Sequence, residues 1–394
     1  MRGSCAEVLF VFLRLGCTSF GGPIAHLGYF QKEIVERRKW CSPNTFAEII
    51  ALAQSLPGPA SSQTGFALGI LRAGWLGGLA AWIGFTLPSA LLMLAFAYGH
   101  SLLGGSVGQG LLHGLQLVAV AVVAQAVITM QRSLAPDRVR VALAIAATGL
   151  TMLLPSQMAS LIAIAAGAVA GLLLFRNQNY GNSEYIGLAL PKALGVASAA
   201  VFLALLVIVP LIAQAFSIFA LTMFSAFYRS GALVFGGGHV VLPLLEGAVV
   251  APGWVTQKSF LAGYGAAQAL PGPLFSVAAY LGAAVRPSSS PFLYGLLGLI
   301  GIFTPGLLAM TALLPFWGAI RTNRYVQSSL RGINASVVGI LIAALFQPLW
   351  PSTIHSSADF WIVLSAFALL ALSKVQPWFV VLCVAAISSL VYSL

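Results

Sequence analysis

Two arginines, two Phe-Gly-Gly elements and two Pro-Gly-Pro elements stand out of an otherwise apolar chain. Arg14 lies six residues before Phe20-Gly21-Gly22, and Arg229 lies six before Phe235-Gly236-Gly237. Pro57-Gly58-Pro59 and Pro271-Gly272-Pro273 come next, each three residues after a glutamine, Gln54 and Gln268. A proline lacks an N–H, clashes with the preceding turn and restricts its neighbour, so each triplet breaks a helix. The amides that begin the next half-helix carry partial positive charge and suit an anion. A guanidinium in an apolar run loses at least roughly 2.5–3.5 kcal/mol, and its planar fork matches an oxyanion in bidentate fashion. Arg14 and Arg229, one per motif series, are therefore candidates to share an anion. Gln54, Gln268 and Ser61 would add uncharged donors.

Competing structural readings stay open. The breaks could be packing kinks, and the arginines could snorkel or pair with a carboxylate, for example Glu7 with Arg14. Glu48, His239 and Glu246, with His26 beside the first motif, flank the breaks and are candidates for proton coupling, since carboxylate and imidazole relays mark membrane pathways.

Elements that could position these groups must be membrane helices. Hydrophobic residues make up 59% of the 394, and only 7% are charged, far from the soluble norm of about 25% charged. Apolar runs of bilayer-crossing length occur at 75–99, 114–130, 158–175, 193–216, 217–235, 292–317, 332–346 and 378–393, with shorter ones at 141–154 and 360–372. A barrel needs short alternating segments, which are absent, so the expected class is all-α and polytopic. The net charge of +11 is scattered between apolar runs, which is the positive-inside pattern rather than a nucleic-acid footprint. Four cysteines form no ligand spacing, and no phosphate loop, HExxH or GxSxG is present, so no metal, cofactor or catalysis is expected.

The motifs belong to a duplication. Phe12, Arg14, Gly16 and Phe-Gly-Gly recur at an offset of 215, Trp40, Phe46, Gln54 and Pro-Gly-Pro at 214, Pro88 and Met93 at 217, and Gly114 at 218. The chain divides into repeats 1–176 and 217–394, joined by a polar linker and one further helix in 177–216. If the two motif segments of each repeat are re-entrant hairpins, cytoplasmic loops hold fifteen Lys and Arg against two outside, Lys258 and Arg286. If every segment spans, the ratio falls to twelve against five. The count favours hairpins, inverted repeats, a cytoplasmic N-terminus and a C-terminus on the other side. Inverted repeats with broken helices place a transporter's site near the midplane.

The residues Phe20-Gly21-Gly22-Pro23, Leu52-Ala53-Gln54-Ser55-Leu56-Pro57-Gly58-Pro59, Phe235-Gly236-Gly237-Gly238-His239 and Ala267-Gln268-Ala269-Leu270-Pro271-Gly272-Pro273 resemble the chromate ion transporter family in its long, two-domain form. The resemblance covers nearly the whole chain. It implies a bacterial inner-membrane protein with oppositely oriented halves that exports chromate, a sulfate-like tetrahedral dianion, and confers chromate resistance. Sulfate or another oxyanion remains an alternative substrate, by uptake or exchange. The expected partners are that oxyanion, the lipid bilayer and a second copy of the chain. The first motif ends in Pro23 and the second in Gly238-His239, so the two halves need not play identical roles.

Overall fold

A computed structural model describes residues 3–99, 105–154, 158–176, 190–235, 238–285, 290–373 and 375–393. The polar linker expected after residue 176 falls mostly outside them. The described residues form helices and no strand.

The first repeat opens with two hairpins. Helix α1 (Cys5–Thr18) runs to Ser19, the chain turns at Gly21 and α2 (Gly22–Phe30) returns, continuing as a wider helical turn to Arg37. Helix α3 (Pro43–Ser55) runs to Pro57-Gly58-Pro59, and the first arm of α4 (Ala60–Gly99) returns as far as a fold at Ala73–Gly74. The feet of both hairpins meet. Arg72 donates to Glu7 at 3.0–3.2 Å, Gly3 N–H donates to the Arg72 carbonyl at 3.0 Å, and Arg38 lies 3.9 Å from Glu7. Trp40 packs under the guanidiniums of Arg72 and Arg38. Residues 3, 7, 38, 40 and 72 can share one end only if each intervening segment goes out and comes back. An arm of 13 or 14 residues spans about 20 Å, short of the ~30 Å hydrocarbon layer.

The second repeat does the same. Helices α9 (Phe219–Ala232) and α10 (Val241–Val249) form one hairpin. Helices α11 (Gln257–Ala269) and α12 (Val277–Ala284) form the other, around Pro271-Gly272-Pro273. Their feet are tied by aromatic contacts, Phe219 meeting Trp254 at 5.2 Å and Tyr294 at 5.8 Å. The run 217–235, long enough to cross, is an arm that stops at Ala232, in line with the hairpin reading.

Two long helices link the ends. The second arm of α4, 75–99, leaves the feet of the first repeat, and its far part packs Leu94 on Gly295 and Phe96 on Tyr280, beside the feet of the second. Helix α13 (Pro291–Leu313) starts there. The short α14 (Trp317–Arg321) beyond it reaches the first repeat's feet, where Trp317 and Arg321 donate to Glu48 at 2.9 and 2.7 Å. The two pairs of hairpins thus stand at opposite ends of one layer with their tips together.

Around them the repeats interlock. Helix α5 (Gly105–Leu134) packs along α17 (Ser357–Leu372) and α18 (Pro377–Ser393) of the other repeat, and α15 (Arg324–Ala344) along α6 (Arg138–Leu153) and α7 (Met158–Leu174). Small residues permit the close approach. A Cβ on Gly114 would meet the Ala385 backbone, and one on Gly332 would collide with the Gly167 carbonyl. His113 Nε2 and Asp359 Oδ1, 2.8 Å apart, add a buried polar tie between α5 and α17. Helix α8 (Lys192–Phe216) joins the repeats and exposes much of its apolar surface, as a lipid-facing helix does. The short α16 (Trp350–Thr353) precedes α17.

Candidate functional site

At the centre each Pro-Gly-Pro crosses the other repeat's Phe-Gly-Gly hairpin. The Gly58 N–H donates to the Val234 carbonyl at 2.7 Å, and the Gly272 N–H to the Ser19 carbonyl at 2.9 Å. Each acceptor is the residue immediately before its repeat's Phe-Gly-Gly, so the two bonds are equivalent. Pro23 and Gly238, matched at the offset of 215, pack on each other between them. The glycines are required twice over. Their φ angles are +118° at Gly58 and +92° at Gly272, a region L side chains resist. A Cβ on Gly58 would also stand 2.8 Å from the Gly306 Cα, and one on Gly272 2.9 Å from Ser89 Oγ. Gly306 and Ser89 each come directly after the proline of a long helix, Pro305 or Pro88.

The side chains at the crossings are polar and asymmetric. Gln63, fully buried, donates to the Pro57 carbonyl at 2.8 Å and the Gly306 carbonyl at 2.9 Å, so it staples the first break to α13. His26 Nδ1 meets Ser61 Oγ at 3.3 Å, whereas on the other side His239 Nδ1 meets the Tyr264 hydroxyl at 2.9 Å. Ser19 Oγ, Ser62 Oγ, Gln63 Oε1 and Gln268 Nε2 are buried without a hydrogen-bond partner among the described residues. Buried polar atoms are ordinarily paired, and leaving one unmade costs about 1–3 kcal/mol. Four such atoms flank the two breaks, the Ser19 and Ser62 hydroxyls and the Gln268 amide as donors and Gln63 Oε1 as an acceptor.

The candidates read from the sequence fall in several places. Pro57, Gly58, Pro59, Ser61, Pro271, Gly272 and Pro273 lie at or just past the crossings, with Phe20, Gly21 and Gly22 on the first tip and Phe235 on the second. Gly236 and Gly237 lie outside the described residues. Phe20 rests against Trp378, ring centroids 6.1 Å apart. Gln268 is half-buried, but Gln54, its equivalent, is exposed on α3. Arg14 and Arg229 sit exposed on α1 and α9, each five residues before the crossing carbonyl. Arg229 lines a cavity of about 840 Å³ together with Glu246, Gln257 and Trp254; Arg14 and the Pro-Gly-Pro segments are not among its lining residues. The suggested Glu7–Arg14 pair is not formed. Glu7 faces Arg72 and Arg38 instead, because the hairpin returns those two residues to its foot while Arg14 lies two turns further along α1. Glu48 lies at the foot of α3 in its pair with Arg321, and His239 stands behind the second tip.

Ser19 and Val234 were not legible as site residues, because they act through backbone carbonyls. Tyr264 was hidden as one more aromatic in an apolar helix. Only the repeat match of Pro88 to Pro305 hinted that the long helices would join the site.

Comparisons with known proteins find the two repeats as such. The family model described as chromate transporter matches residues 6–172 and 221–389, one stretch per repeat. The chain is 28% identical over 391 residues to a probable chromate transport protein of Synechococcus elongatus, covering 97% of this chain and 94% of that one. It is 29% identical to the chromate transport protein of Pseudomonas aeruginosa, over 84% of this chain and 77% of the relative. To that of Cupriavidus metallidurans it is 25% identical, over 86% and 81%. No solved structure matches.

Proposed function

Because the chain belongs to the chromate transporter family, a family of multi-pass membrane transporters rather than enzymes, we propose that it exports a tetrahedral dianion through the crossing of its four hairpins. The observation carrying this reading is the reciprocal pair of bonds from Gly58 to Val234 and from Gly272 to Ser19. A dianion leaving water needs its hydration replaced by fixed donors. The half-helix starts beyond Pro59 and Pro273, with Ser61, Ser62 and Gln268, supply donors without full charge, so binding stays weak enough for release. Arg14 and Arg229, about 8 Å of helix before the crossing on each side, attract the anion from the two ends of the path.

In this reading the halves, 1–176 and 217–394 about the joining segment 177–216, are inverted in the bacterial inner membrane. Lys32, Arg37, Arg38, Lys39 and Arg72 belong to the first repeat's feet, and this excess of cations supports a cytoplasmic position for that end. Helices α4 (second arm), α5, α6, α7, α8, α13, α15, α17 and α18 then cross, and the C-terminus emerges in the periplasm. An ion gradient or an exchanged solute supplies the energy, and export confers chromate resistance. Sulfate has the same charge and shape, and the crossing reads both.

Flux of labelled chromate and sulfate into proteoliposomes, with pH gradients of either sign, tests the reading. Saturable flux of chromate is expected, and no flux of either anion overturns it. Arg14→Lys and Arg229→Lys, which keep charge but lose the fork, are each expected to lower flux about tenfold or more. Wild-type flux in Arg229→Lys removes that residue from the path.

A further inference from the structure

The cavity that holds Arg229 differs from the crossing. Its lining takes in Pro252 and Trp254 beside the second repeat's feet and follows α9 and α10 to Leu233, one residue short of the crossing carbonyl. Among its lining residues only Arg229 and Glu246 are charged. The other lining residues that bear polar groups are neutral, among them Thr222, Ser230, Gln257 and Gln347. Glu246 is buried on α10, yet it forms no ion pair among the described residues. The duplication sharpens this. Arg229 has its counterpart in Arg14, but at an offset of 215 or 214 Glu246 falls on Gln31 or Lys32. The arginine recurs in both repeats, and the carboxyl belongs to one.

Among the described residues nothing else that titrates lines the cavity beside Glu246. On α9 the Tyr228 hydroxyl points to the Phe202 carbonyl, away from the cavity. His239, two turns earlier, is engaged with Tyr264 of α11, and Lys258 of α11 is exposed. On α15 the cavity takes Ile340 and Ala343, whereas Arg324, Tyr325 and Arg331 lie at the opposite end of that helix.

We infer that this vestibule is a proton-gated binding station for the tetrahedral oxyanion, with Arg229 as its cation and Glu246 as its gate. The inference rests on the transport reading above. Ionised, Glu246 repels a dianion and satisfies the field of Arg229 itself. Protonated, it leaves Arg229 uncompensated and offers an O–H to an oxyanion oxygen. Anion and proton therefore favour each other, and by reciprocity anion binding takes up a proton. The Arg229 vestibule thereby becomes pH-sensitive.

Binding of radiolabelled sulfate, whose charge is constant over the range used, to the purified full chain in nanodiscs tests this. Wild-type affinity is expected to fall about tenfold or more between about pH 4 and pH 8.5, with proton uptake on sulfate addition in weakly buffered solution. Glu246→Gln should bind at the low-pH affinity throughout and take up no proton. Glu246→Asp should retain a pH dependence, and Arg229→Gln should lose the binding. Equal pH dependence in wild type and Glu246→Gln, with binding intact, overturns the gate and leaves the transport reading standing. No saturable binding of sulfate or chromate at any pH overturns both.

Discussion

Gly58 and Gly272 make the same bond in the same backbone conformation, yet the residues beyond them differ. After the first break come Ser61, Ser62 and Gln63; after the second come Phe275, Ser276 and Val277. The first break is stapled by Gln63 to two carbonyls, and the second is packed by apolar contact, Phe275 against Phe303 at 5.8 Å. The difference separates two demands on a duplicated site. Crossing geometry is backbone work, so both copies keep Pro-Gly-Pro. Holding the break in place and meeting a guest are side-chain work, which the two repeats have divided.

The largest effect is expected from the shared feature. Gly58→Val and Gly272→Val should abolish flux, because each meets both a positive φ and a blocked Cβ. Alanine grades them. Gly58→Ala collides at 2.8 Å with the Gly306 backbone, which cannot rotate away, whereas Gly272→Ala meets Ser89 Oγ, which can, and the Phe85 carbonyl only at 3.1 Å. Flux lower in Gly58→Ala than in Gly272→Ala is the expected order, and the reverse would break the comparison.

Gln63→Leu comes next. It strips a donor from two buried carbonyls, at about 1–3 kcal/mol for each, and flux should fall about tenfold. Val277→Ala at the equivalent position should cost about 1 kcal/mol of stability with flux near wild type. Equal loss in both would show that the asymmetry is ornamental.

Glu48 tests whether the carboxylate at the foot of the first break's arm relays protons or braces the fold. Glu48→Gln should lower thermal stability in detergent by about 1–3 kcal/mol, the range for a hydrogen bond to a charged group, and leave the pH profile of transport unmoved. A shifted profile would return Glu48 to the relay.

The smallest effect concerns equivalent helix caps, Asp137 on α6 and Ser356 with Asp359 on α17. Asp137→Ala should cost about 1 kcal/mol, whereas Asp359→Ala, which also frees His113, should cost more; chemical denaturation ranks them. The Arg140 backbone N–H, and then its guanidinium, hold the Asp137 carboxyl below the usual range. The cap should therefore stay intact from neutral into mildly acidic solution, failing only as pH drops through that lowered value.

Class, duplication and breaks were legible without coordinates because each is local. Hydropathy comes from composition, a repeat is visible as spacing, and a Pro-Gly-Pro breaks a helix wherever it stands. The positive-inside count even favoured hairpins over crossings, since Lys and Arg loops collect on the cytoplasmic side. Pairing across distance lay beyond the sequence. Gly58 meets Val234, Gln63 meets Gly306, Glu7 takes Arg72 and Arg38 rather than Arg14, and Arg229 opens onto Glu246 instead of onto Arg14. None of these can be read from spacing along the chain. Tips meet tips because arms of about 20 Å end inside the layer with unpaired backbone groups. In a bilayer only another stretch of protein can satisfy those groups, and it is packing that decides which one does.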